Sequence, residues 1–180
     1  MIGLIALLAL GTAQPAPSPA GSRLVLPFEV GQLVIYFPNG TEDGCSAEGQ
    51  GAFAPFTATA CASLQMGSSA TAGRHGPRGG LIMEVGREAS TPPFALPAGI
   101  TLITDNVVEA DVTPGGQVGA CRVVRSVADP WAGGSTVGDL CADLHSDPHP
   151  FLPAAGSAAA GHGTVRVAVF IPAGAPPAAH

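Results

Sequence analysis

A cysteine-bearing pattern that occurs twice limits what this chain can fold into more than any other feature. Residues Val107 to Leu144 read VVEADVTPGGQVGACRVVRSVADPWAGGSTVGDLCADL. An alternating run, Val108, Ala110 and Val112, meets a Pro-Gly-Gly turn at Pro114–Gly116. A second alternating run carries Cys121, and a short helical pattern after Pro130 carries Cys141. Period-two alternation broken by Pro and Gly is the signature of a hairpin. The order is therefore hairpin, loop, helix, with one cysteine on the second strand and one on the helix. Leu33 to Leu64, LVIYFPNGTEDGCSAEGQGAFAPFTATACASL, repeats that order with Cys45 and Cys61.

Local chemistry fills in the elements. Gln32 to Phe37 is β-branched and aromatic and stops at Pro38-Asn39-Gly40, so it reads as a strand ended by a turn. Pro55 suits the first helical position, and Phe56 to Met66 is a helix that Gly67 ends. Leu81 to Val85 is the strand that closes a first unit. Arg23 to Val30 reads as an edge strand, because Pro27 lacks the N–H a central strand needs. Pro92, Pro93 and Pro97 mark residues 87–99 as the linker, and Ile100 to Ile103 adds a short strand. Thr136-x-x-Asp139 resembles a capping box for the second helix, and Pro148 and Pro150 forbid its continuation. Thr164 to Ile171 alternates cleanly and ends at Pro172.

The expected architecture is α+β, with two tandem units at residues 28–86 and 100–172. Each unit is a small antiparallel sheet with one helix packed on it and one disulfide. Residues 14–27 read as a Pro/Ala-rich leader and 173–180 as a disordered tail. Whether the two sheets join is open from sequence. A unit of about 60–75 residues has a thin core and needs a covalent staple. Seven Phe, one Tyr and one Trp make the core thinner still. Four cysteines permit three connectivities. The repeat favours Cys45 with Cys61 and Cys121 with Cys141, each bond restricting the unfolded chain by about 3 kcal/mol.

Residues 1–13 hold an apolar run, Ile2 to Leu10, shorter than the about 20 residues a membrane-crossing helix needs. Gly11 and Ala13 place small residues before Gln14, a signal-peptide pattern. No membrane span is expected to be retained, and export suits the even cysteine count. The net charge of −6 and the lack of a basic stripe argue against nucleic acid as partner.

No residue set reads as catalytic, and no cofactor is implied. Ser69, Ser126 and Ser135 have no nucleophile elbow or neighbouring base. Glu42-Asp43 fits a turn, and Glu109 with Asp111 a solvent-facing strand side, better than a working carboxylate pair. Trp131 reads as a core anchor for its loop. Cys141, His145 and His149 recur at helical spacing around Asp147, a ligand set of the kind zinc takes. Against that metal-binding alternative, Pro148 breaks the helix before His149, and Cys141 has a disulfide partner to hand. His75 and His162 sit in Gly-rich stretches and read as incidental.

The second unit resembles the C-terminal domain of TonB-type energy transducers, in the cysteine-bearing alphaproteobacterial form. Val112-Thr113-Pro114-Gly115-Gly116, Gln117-Val118-x-x-Cys121-x-Val123-x-x-Ser126, Asp139-x-Cys141-x-x-Leu144 and Phe151-x-Pro153-Ala154 carry the resemblance. A last strand from Val165 to Ile171 completes it. The first unit is similar through Gly40, Cys45, Cys61 and Leu64. The resemblance implies a periplasmic, non-catalytic binding module that engages an outer-membrane receptor segment, or another envelope protein, by strand addition. It implies an edge strand as the site, here Thr164, Val165, Arg166, Val167, Ala168, Val169, Phe170 and Ile171. A structural envelope protein without a ligand is the other expectation.

Overall fold

The computed structural model describes residues 25–38, 44–67, 79–86, 94–127, 140–148, 150–152 and 161–174. The signal-peptide pattern, Glu42-Asp43, His75, Trp131, the Thr136/Asp139 cap and His149 lie outside them.

Both halves fold on one plan. The first runs β1 (Gly31–Phe37), β2 (Ser46–Gly51), a 3-10 turn (Ala54–Phe56), α1 (Ala60–Gly67) and β3 (Gly79–Gly86). The second runs β4 (Ile100–Val112), β5 (Val118–Val127), α2 (Leu140–Ser146) and β6 (Gly161–Pro172). In each, a hairpin forms first, and the chain then crosses through the helix to lay a third strand on the far side of the first. Thus β3 pairs with β1 and β6 pairs with β4, all antiparallel. The fold is α+β and mostly antiparallel sheet.

The two halves share one sheet of order β2-β1-β3-β6-β4-β5. The joint is an antiparallel pairing of β3 with β6, from Gly80↔Phe170 to Gly86↔Thr164, with Met83↔Val167 at its middle. Pairing two equivalent strands head to tail relates the halves by an approximate two-fold axis near Met83 and Val167. Among the described residues, β2 and β5 are the strands with a single neighbour.

Strand β4 is longer than its sequence suggests. Ile100 to Ile103 and Val107 to Val112 belong to one continuous strand, carried past a register shift between Leu102 and Thr104. Such a bulge absorbs one residue without ending the pairing. The β4–β5 turn closes through the Thr113 N–H donating to the Gln117 carbonyl at 2.8 Å and the Gly116 N–H donating to Thr113 at 2.9 Å. Gly116 is required twice there. Its φ is +81°, and a Cβ would lie 2.1 Å from the Phe151 carbonyl oxygen. Close approach also explains Gly80, where a Cβ would meet the Ile35 carbonyl at 2.0 Å and the Phe170 ring at 2.4 Å.

The larger core lies on the helix side of the sheet and draws on both halves. Leu33, Ile35, Phe53 and Ala60 from the first join Val108, Val112, Cys141, Leu144, Phe151 and Val165 from the second. The segment before β1 ties the halves together. Leu26 makes a single parallel bridge with Phe151, and the Phe28 ring stands edge-on to the Phe151 ring at 5.1 Å. So the described part of the stretch expected to form an edge strand makes one bridge to the second half and packs in the shared core. Pro27 limits it to that one bridge. On the other face, Val34, Ile82, Ala168 and Phe170 form a smaller cluster, with the Tyr36 ring 5.7 Å from that of Phe170.

The disulfides join Cys45 to Cys61 and Cys121 to Cys141, with Cα–Cα distances of 5.8 and 5.7 Å. They close spans of 16 and 20 residues; the second ties α2 to β5, and the first ties α1 to Cys45, the residue directly before β2. A Cys121→Ser/Cys141→Ser variant is expected to lose about 3 kcal/mol in urea denaturation. Phe151→Ala is expected to cost about 3–5 kcal/mol. Because Phe151 sits in a core both halves share, amide exchange in β1 and in β4 should accelerate together. Faster exchange in β4 alone would contradict a shared core.

Candidate functional site

Strand addition needs a row of backbone N–H and C=O groups with no neighbour. Thr164 to Ile171 does not offer one. These residues form the body of β6, which pairs with β3 along one side and β4 along the other. Arg166 lies between Glu84 and Val107, Ala168 between Ile82 and Asp105, and Phe170 between Gly80 and Leu102. The expected binding strand is therefore an interior strand, because its free side is taken by the third strand of the other half. Its composition carries a signal for this. TVRVAVFI is apolar on both faces except at Thr164 and Arg166, the habit of a strand buried on both sides.

Arg166 itself is buried, and its charge is met across the sheet. Its Nε donates to Asp105 Oδ1 at 2.7 Å and its Nη2 to Asp105 Oδ2 at 3.1 Å, a bidentate pair. Its Nη1 lies 3.9 Å from Glu84 Oε2, which also accepts from Gln32 Nε2 at 3.0 Å. Arg125 from β5 reaches the same Asp105, Nη2 to Oδ2, at 2.9 Å. A polar chain thus runs over β1, β3, β6, β4 and β5 on the face away from the helices. Among the described residues, no buried side-chain nitrogen or oxygen lacks a partner. Burial raises the Glu84 carboxyl above its ordinary 4.5. The Gln32 hydrogen bond and the Arg166 charge lower it in part, and Asp105 raises it.

Among the described residues, the free edges of the sheet are β2 and β5. Strand β2 reads SAEGQG, short and with two glycines. Tyr36 Oη donates across to Glu48 at 3.4 Å, and burial, together with the Glu48 charge, raises the Tyr36 hydroxyl above its ordinary value. Strand β5 is longer, at ten residues, and richer in β-branched side chains. Val123, Val124 and Val127 remain 45%, 41% and 46% exposed. Three large aliphatics on one exposed edge are unusual unless something covers them.

Strand β5 is also held rigidly. Cys121 ties it to α2. His145, on α2, places Nε2 2.8 Å from the Gly119 carbonyl and Nδ1 2.7 Å from the Cys141 carbonyl. These contacts bear on the metal-binding alternative. The Cys141 sulfur is spent in a disulfide, so it is not a thiolate ligand. Both His145 nitrogens face carbonyl oxygens. Among the described residues, no group of three His, Cys, Asp or Glu could hold a metal ion.

Two further expectations are settled by geometry. Glu109 pairs with Arg122 across the β4–β5 hairpin, and Asp111 meets His162 Nδ1 at 2.8 Å. Both acids thus sit on the same side of β4 in cross-strand contacts, Glu109 in an ion pair and Asp111 beside an imidazole nitrogen, and His162 has a structural partner. The exposed edge that sequence reasoning did not single out is β5. Its signal was present in the arginines and exposed-type alternation of VGACRVVRSV, which suit an edge.

No protein-family model, curated protein or solved structure matches this chain. No helix among the described residues is long and apolar enough to cross a membrane.

The Glu84 carboxyl generates a signed pH effect. With its folded-state pKa above 4.5, the folded protein holds the proton more tightly than the unfolded chain. That contribution is complete below the unfolded value and is lost as pH rises through the folded one. Glu84→Gln stays neutral throughout, so its stability relative to the parent is expected to rise between about pH 4 and pH 7. Urea titrations at both pH values measure this, and a difference independent of pH would count against it. Arg166→Ala leaves two buried carboxylates short of their partner and is expected to cost about 3–5 kcal/mol.

Proposed function

We propose that this protein is a non-catalytic binding module of the periplasm that receives an extended segment of an envelope protein by strand addition to β5. The observation that carries this reading is the β5 edge. It has ten residues with one neighbouring strand, exposed valines, and a clasp to α2 that fixes its backbone before any partner arrives. A prearranged edge lowers the ordering cost of association. The hairpin–helix–strand order and the hairpin-to-helix disulfide in each half support kinship with tandem TonB C-terminal-like units. On that kinship the partner segment belongs to an outer-membrane receptor.

In strand addition the backbone, not the side chains, supplies most of the affinity. A synthetic peptide of about ten residues alternating valine with threonine matches the strand in length and period. Its binding should slow amide exchange in β5 and leave β2 unchanged. N-methylation of every second peptide amide should abolish binding in one phase and spare it in the other, because only alternate amides face β5. Equal loss in both phases, or protection elsewhere in the sheet, would remove the basis for the reading.

A further inference from the structure

We infer that the strand β5 accepts is acidic on one face, and that Arg122 and Arg125 select it. This rests on strand addition at β5 and adds the chemistry of the partner.

The inference starts from a register shift. Arg122 and Arg125 are three residues apart, so in a regular strand they would point to opposite faces. They do not. Arg125 is opposite Val107 and Val123 is opposite Val108, which leaves Val124 as the extra residue of a bulge. The bulge turns Arg125 to the face that Arg122 already occupies. On that face Arg122 meets Glu109, and Arg125 meets Asp105. Cys121 points the other way, toward α2.

The inner neighbour of β5 therefore shows what its outer neighbour would meet. Strand β4 presents two carboxylates, Asp105 and Glu109, to two guanidinium groups. Those groups are not used up. The side chains of Arg122 and Arg125 are 72% and 50% exposed, and each ion pair engages one terminal nitrogen of a group with five donors. A strand on the open side would lie beside the same arginines, and carboxylates on its matching face would meet the remaining donors. Its opposite face would lie beside Val123, which favours an apolar residue there.

The same charges disfavour the simplest competitor. Antiparallel pairing of β5 with β5 of a second copy would bring arginines against arginines, and like charges across a sheet are destabilising. Strand β5 carries two of the chain's seven basic residues and no acidic one, in a protein of net charge −6. An edge so marked repels its own kind and attracts an acidic strand.

The test uses the full chain and three peptides of about ten residues, alternating valine with glutamate, glutamine or lysine. Affinity is measured by fluorescence anisotropy at low salt and at about 0.5 M salt. The glutamate peptide should bind about five- to twentyfold more tightly than the glutamine peptide, from two partly exposed ion pairs, and the lysine peptide more weakly than either. High salt should collapse the difference. Arg122→Gln/Arg125→Gln should abolish the preference for glutamate over glutamine, and Arg122→Gln alone should remove part of it. Equal binding of the glutamate and glutamine peptides would overturn the charge preference while leaving strand addition standing. Failure of all three to bind would overturn both. Sedimentation of the protein alone provides the last arm. Concentration-dependent oligomers that dissolve on Glu48→Arg would assign β5 to the β2 edge of another copy and refute an acidic peptide as its occupant.

Discussion

The antiparallel seam between β3 and β6 is the constraint on which the rest of the structure depends. Each half alone would leave the outer side of its third strand unpaired, with apolar side chains on both faces. Joining the two strands satisfies both rows of backbone groups at once and lets one core form across the halves. The seam also decides what remains open. Closing β3 and β6 against each other pushes the free edges out to β2 and β5, the strands that lie one step outside the first strand of each half.

The buried charges belong to the same construction. Glu84 and Arg166 are directly opposite across the seam, and Asp105 takes the arginine from the next strand. A slip of one residue would turn every side chain to the other face and strand these charges among apolar groups. The polar chain therefore specifies the register in which the halves meet. It extends to the surface through Arg125, so the same residue that completes the buried network also faces the open side of β5.

With few aromatic residues, the helices have little to pack with, and the disulfides compensate. The second pins α2 to β5, and the first pins α1 to the residue directly before β2. In the second half His145 adds two hydrogen-bonding contacts at the same crossing. The strand that is most exposed is thus among the most firmly held, a combination that suits an edge prepared for a partner.

Local chemistry determined much of this protein. The β-branched and apolar runs QLVIYF, LIMEV and TVRVAVFI, the Pro-Gly-Gly turn and the cysteine positions were legible as strands, hairpin and staples, because each depends on residues close in sequence. Only the tertiary structure decided which strands lie inside. Backbone N–H and C=O groups are alike at every residue but proline, so little that is local names the neighbour a strand will take. For that reason β6, expected at an edge, lies inside the sheet, and β5 lies at its edge. The bulge at Val124 and the network of Gln32, Glu84, Arg166 and Asp105 were out of reach for the same reason. They exist only once strands far apart in the chain are aligned side by side.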